Sequence, residues 1–321
     1  MRRAIAGRAG AAALTAALVG TAIAGCSSPS DPTIPVDFAE LADDADSGIA
    51  TENDIAYREV DGDRLQMNAC LPAPSERAAP AVLLLHGGGF TQGARTDESV
   101  AGLCVWLAEN GYAAFSASYR LAPEHIFPAQ VDDVAAAIAF LRDPETAERF
   151  AIDPTAIGVL GSSAGAILAL ETATAGEGAL DAGSRVRAAV ALSGVADMRP
   201  QAASLGEPTE QSAQIILDYL GCTELAACDG EAASAIASVD ASDPAVFLAG
   251  STREIVPVEQ SQAMADALTA ADVPNELHVA PGEAHGAALM DGDMRTSVLS
   301  FLRSFLGEPT TPSPTSSSSP E

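Results

Sequence analysis

The chain has 321 residues, of which 48% are hydrophobic and only 4% aromatic, and its formal net charge is −28. This is enough apolar material for one large domain, with a core filled mostly by Ala, Val and Leu. Acidic side chains number 44 against 16 basic ones, with no basic patch, which excludes a surface that grips phosphate and so excludes binding to nucleic acid or anionic lipid headgroups.

Arg2, Arg3 and Arg8 make a basic start, an Ala/Leu/Val-rich stretch follows over residues 9–24, and Gly25 and Cys26 come next. The stretch is short for a membrane span and reads as an export signal over residues 1–25. The run Ile23-Ala24-Gly25-Cys26 resembles the lipobox of bacterial lipoproteins. That resemblance implies lipidation at Cys26, an exported protein, and anchoring at the extracytoplasmic face of the cell membrane through this lipid alone. An ordinary cleaved signal is the alternative.

Residues 26–46, rich in Ser, Pro and Asp, read as a flexible tether. Residues 47–307 read as the folded domain, and residues 308–321, rich in Pro, Ser and Thr, as a disordered tail. Export would place Cys70, Cys104, Cys222 and Cys228 in an oxidising compartment. Cys222 and Cys228 are six apart and pair first, and Cys70 with Cys104 follows by elimination; four free thiols are the alternative. No Cys-x-x-Cys spacing supports a metal site.

In chain order, residues 55–60 and 64–71 flank Asp61-Gly62-Asp63 and read as a hairpin. Residues 81–85 form a short apolar run, hence a buried strand. Residues 98–110 read as a helix stopped by Gly111, and residues 112–118 as a strand. Residues 128–141 are an amphipathic helix with Pro near its start. Strands follow at 156–160, 186–192, 245–249 and 276–280, and helices at 164–175, 258–271 and 288–305. The order predicts an α/β fold: a mostly parallel eight-stranded sheet, opened by an antiparallel hairpin, with helices on both faces. Residues 197–243 contain no strand pattern and read as a lid or cap insertion between strands six and seven.

Two glycine-rich turns carry the chemistry. Gly161-Ser162-Ser163-Ala164-Gly165 fits Gly-x-Ser-x-Gly only with Ser163 as the central serine. Such a serine sits on a strained strand-to-helix turn, where side chains at the flanking positions would collide with their neighbours. His86-Gly87-Gly88-Gly89-Phe90 follows a buried strand upstream. Its glycines let backbone amides turn toward a developing oxyanion, with Gly88, Gly89 and Ala164 as the expected donors.

Together with Tyr119-Arg120-Leu121-Ala122-Pro123-Glu124-His125, Phe127-Pro128-Ala129 and Ile152-Asp153-Pro154, these motifs resemble the hormone-sensitive-lipase-like family of carboxylesterases. The resemblance is strong over residues 81–170. It implies an α/β-hydrolase fold and ester hydrolysis without a cofactor or metal. Ser162 stands where that family usually has Asp, and Ala166 where Gly is usual. After Asp243 the chain looks more like related small bacterial esterases, some of which act on decorated polysaccharides.

Of four histidines, His285 follows the last strand and precedes the final helix, the place of a triad base in the order Ser…acid…His. His86 belongs to the oxyanion loop, His125 to the Pro-Glu-His loop and His278 to a strand. The acid is less plain. The family pattern puts Asp four residues before a Val-Pro proline, but that position is Arg253. Glu254, one residue later and one methylene longer, is the first candidate. Asp197 is the second, Asp243 lies at the wrong end of its strand, and a site without an acid is a further reading. The expectation is a serine carboxylic ester hydrolase acting by an acyl-enzyme on short-to-medium acyl esters. A serine peptidase of the same fold, and a cell-surface binding protein on a decayed hydrolase scaffold, are the alternatives. The oligomeric state is left open.

Overall fold

The structure, a computed structural model, describes residues 48–206 and 208–309. The export signal, Cys26, the tether and nearly all of the expected tail lie outside the described residues.

Eight strands form one sheet in the order β1-β2-β4-β3-β5-β6-β7-β8. β1 (Ala50–Val60) and β2 (Asp63–Leu71) make the hairpin. Its turn is tight: Asp61 (φ 54°) and Gly62 (φ 94°) link the paired residues Val60 and Asp63, a left-handed pair suited to Asp-Gly. β2 runs antiparallel to β4 (Ala113–Ala117). From β4 onward every pairing is parallel, through β3 (Ala79–Leu85), β5 (Ile152–Ser162), β6 (Ala188–Leu192), β7 (Ala245–Ser251) and β8 (Asn275–Ala280). This is the mostly parallel sheet that the sequence predicts.

β3, β4, β6 and β7 are buried along their whole length, as central strands covered on both faces must be. Successive side chains feed opposite cores. Leu83 and Leu85 join one apolar cluster, and Val82 and Leu84 join the other. Helices α1 (Glu98–Glu109) and α7 (Gly292–Leu306) cover the second cluster's face. On the first lie α2 (Ala129–Arg142), α3 (Pro144–Phe150), α4 (Ala164–Ala173) and α6 (Val258–Ala270). Two disulfides form among the described residues, Cys70–Cys104 and Cys222–Cys228. The first fastens β2 to α1 and, by closing a 34-residue separation, contributes about 4 kcal/mol in the loop-entropy model.

β1 starts at Ala50 and β5 at Ile152, ahead of the expected 55 and 156, and three helical segments differ from the expectation. The last helix starts at Gly292 instead of residue 288, because the Asp291 side chain accepts from the Met294 amide (2.9 Å) and caps it there. Helix α3 was not expected. Asp143 accepts from the amides of Glu145 and Thr146, with Pro144 in the first turn, a cap-plus-proline signal readable in the sequence. The insertion after β6 is also partly helical. α5 (Glu210–Leu220) is capped by Thr209, which accepts from Ser212 (3.1 Å), and closed by left-handed Gly221.

Candidate active site

The chain leaves β5 at Ser162 and enters α4 at Ala164, so Ser163 is the whole connection. Its φ of 55° and ψ of −117° lie where a non-glycine residue is strained. The flanking glycines have a steric cause. A Cβ on Gly161 would fall 1.9 Å from the Gly165 carbonyl oxygen, and one on Gly165 would fall 2.2 Å from that of Leu85. The Ser163 amide is spent on the Leu192 carbonyl (2.8 Å). Ala164 is the first residue of α4, and first-turn amides have no partner within the helix.

The His86–Phe90 loop lies against this turn. A Cβ on Gly87 would sit 3.3 Å from the Ser163 Cβ, and left-handed Gly88 folds back so that Thr91 and Gln92 donate to its carbonyl. His86 supports the loop. Its ring stacks on Tyr119, whose hydroxyl donates to the His86 carbonyl (2.7 Å), and burial depresses its basicity. Gly88, Gly89, Ser163 and His285 together line a cleft of about 420 Å³.

His285 follows β8. Its Nδ1 contacts the Glu254 carboxylate oxygen Oε2, while Nε2 is buried without a hydrogen-bond partner. A carboxylate only accepts, so Nδ1 carries the hydrogen and Nε2 is left with its lone pair. The Glu254 side chain is 1% exposed. Its other oxygen, Oε1, accepts from the Ser193 hydroxyl (2.9 Å) and the Ser251 amide (2.7 Å). The one-residue offset has a local reason. After β7 the amides of Thr252 and Arg253 bind the carbonyls of Ala280 and Gly282. Arg253 is turned outward, 68% exposed beside Glu283, and Glu254 is turned in.

Asp197 is not brought to His285. Arg199 binds both of its oxygens (2.8 and 2.7 Å), and Ser234 approaches one of them. Burial opposes its ionisation, but the Arg199 hydrogen bonds and charge outweigh that and hold the carboxyl below its usual range. Asp243 faces Arg185 (3.6 Å) just before β7 begins. His125 pairs with Asp63 (3.0 Å), and His278 stacks on Phe247.

The insertion supplies site residues that the sequence reading does not single out. Gln211 and Ile215 of α5 line the cleft, and the Ile215 side chain closes to 3.1 Å of a Cβ placed on Gly89. Tyr219 stacks on Phe90 and donates to Glu171 of α4 (2.8 Å). Burial pushes the Glu171 carboxyl up to about 8, against the smaller opposing pull of the Tyr219 hydroxyl. The pair therefore joins the insertion to α4.

Residues 67–268 match the BD-FAE family model. Over 112 residues the chain is 33% identical to neutral cholesterol ester hydrolase 1 of Mus musculus, which is 35% of this chain and 28% of that protein. The chain thus spans only about a quarter of the length of the curated relatives it matches. Among solved structures, Thermogutta terrifontis esterase 2 phosphonylated by sarin is similar at a TM-score of 0.65 and 25% identity, covering 80% of this chain and 94% of that one. The acetyl ester-xyloside bifunctional hydrolase of Caldicellulosiruptor lactoaceticus is similar at 0.62 and 26%, covering 78% and 95%. The match spans well over half of the chain, and the likeness to these solved structures covers about four fifths of it: the protein belongs to the BD-FAE family and has the α/β-hydrolase fold.

Proposed function

We propose that the protein hydrolyses short acyl esters through an acyl-enzyme on Ser163, with His285 as base and Glu254 as its orienting acid. The observation that carries this is the imidazole of His285: Nδ1 is held by a buried carboxylate, and Nε2 is unpartnered at the cleft that Ser163 also lines. In the first half-reaction the Ser163 oxygen attacks the ester carbonyl carbon and its proton passes to Nε2. The carbonyl oxygen gains the negative charge, with the amides of Gly88, Gly89 and Ala164 as its donors. Collapse breaks the bond to the alcohol oxygen, which leaves with the proton from Nε2. Water then repeats the sequence on the acyl-serine and releases the carboxylic acid.

Ile215 of the insertion crowds the oxyanion loop, which favours small acyl groups. Thr91, Gln92, Asp97 and Gln211 also line the cleft, beside Ile255, and suit a hydroxyl-rich alcohol, such as an acylated sugar. The Caldicellulosiruptor hydrolase, named for acetyl ester and xyloside, supports that choice. The test is a p-nitrophenyl ester series from acetate to decanoate. kcat/KM peaks at acetate or butyrate and falls at least about tenfold by decanoate, since a longer acyl chain meets the Ile215 side chain and overfilling a packed site costs about 1–3 kcal/mol. A maximum at octanoate or beyond contradicts the short-acyl reading.

We also propose export and lipid anchoring through Cys26. The lipobox-like run and two disulfides, a feature of exported proteins, support it. In detergent phase partition of the full chain expressed in a bacterial host, wild type enters the detergent phase and Cys26→Ser the aqueous phase; equal partition contradicts the anchor.

A further inference from the structure

Three serine hydroxyls, one at the carboxyl end of each of three neighbouring strands, hold the loop that carries His285. Ser162 ends β5, Ser193 follows β6 and Ser251 ends β7. The Ser162 hydroxyl accepts from the Ala287 amide (2.9 Å), that of Ser193 accepts from the Gly286 amide (2.8 Å), and that of Ser251 donates to the Ala284 carbonyl (2.7 Å). The backbone on either side of His285 is thereby fixed to the sheet.

Ser193 differs from the other two because its hydroxyl proton goes to the acid itself, at Glu254 Oε1 (2.9 Å). One buried hydroxyl thus ties the carboxylate to the residue after the histidine. Ser193 is 1% exposed and holds a left-handed φ of 61°, a conformation that favours Gly or Asn over Ser. Its side chain accounts for serine there. A glutamate has one more rotatable bond than the aspartate expected at this site, and it starts one residue later. It needs a restraint that an aspartate would not. With Oε1 occupied by Ser193 and Ser251, only Oε2 is presented to His285.

We propose that Ser193 is a positioning residue that locks the Glu254 rotamer into the geometry for proton transfer. This rests on the ester-hydrolase reading above. The test is a double-mutant cycle on p-nitrophenyl acetate, with Ser193→Gly and Glu254→Gln in the full chain. Glycine suits the left-handed backbone, so the variant keeps its fold, as thermal unfolding reports; Ser193→Ala serves as a second variant. In the wild-type background Ser193→Gly lowers kcat by about 10- to 100-fold, the size expected for losing a buried hydrogen bond to a charged group, with KM within about twofold. In the Glu254→Gln background the same change lowers kcat less than about threefold, because its effect runs through the carboxylate. An equal loss in both backgrounds, or a kcat within twofold of wild type, overturns the role of Ser193 alone. A wild type without Ser163-dependent hydrolysis overturns the esterase reading instead, and this role with it.

Discussion

Replacing Ser163 with alanine lowers kcat for p-nitrophenyl acetate by about 10⁵- to 10⁶-fold, to the background rate of the assay, while the protein folds as before. The size follows from the role. Without the oxygen no acyl-enzyme forms, and only cleft and oxyanion donors remain to act on the ester, as in serine triads generally. The fold is spared because the lost oxygen makes no internal hydrogen bond among the described residues; the anchoring bond to Leu192 comes from the Ser163 amide. Ser163→Gly is equally inactive but more stable, by about 1 kcal/mol or more, since glycine adopts the φ of 55° without strain. Paired measurements of kcat and of thermal unfolding check both halves. Residual hydrolysis within a hundredfold of wild type would place the nucleophile elsewhere.

Glu254→Gln lowers kcat by about 10³- to 10⁴-fold with little change in KM. An amide in this position can offer its NH₂ to His285 Nδ1, which then carries no hydrogen, and the proton moves to Nε2, the wrong tautomer for a base facing Ser163. Glu254→Asp also loses most activity, because the carboxylate withdraws by about one bond length of 1.5 Å from Nδ1, Ser193 and Ser251. Adding Arg253→Asp to Glu254→Gln restores nothing: position 253 carries an outward, 68% exposed side chain. Restoration by Arg253→Asp, or a Glu254→Gln enzyme within about tenfold of wild type, would contradict this assignment. A fully active Glu254→Gln protein would also return Asp197 or an acid-free pair to consideration.

The site was legible in the sequence wherever its cause is local. Gly161, Gly165, Gly88 and Gly89 are written into the chain because a Cβ or a right-handed φ at those positions fails within a few residues or against the next strand. The central strands were legible for the same reason, as short apolar runs broken by turn residues. His285 could be chosen by order along the chain alone. The acid could not. Asp197 and Glu254 both follow strand ends, and the choice depends on Arg199 claiming Asp197 and on the turn at Arg253 facing outward. Arg253 at the expected aspartate position motivated the reading of a decayed scaffold; with Glu254 against His285, that motive is gone. Ser193 was not visible at all. It stands 61 residues from Glu254 and 93 from Gly286, and nothing at its own position marks it until the parallel sheet places β6 beside β7. Tyr219 and Ile215 lie in the insertion expected as a lid or cap, whose packing onto the site is not local, although Thr209 and Gly221 bracket a helix there.

The central claim is that Ser163, activated by His285, is the atom that becomes acylated. Paraoxon reports this directly: the activated serine attacks its phosphorus, expels p-nitrophenolate and keeps a diethylphosphoryl group. Incubation of the protein with paraoxon followed by intact-mass and peptide mass spectrometry yields one adduct per chain, on the peptide containing Ser163. Labelling is absent in Ser163→Ala and slowed by at least about 10³-fold in His285→Ala. An adduct on another residue, or unchanged labelling of His285→Ala, would contradict the account.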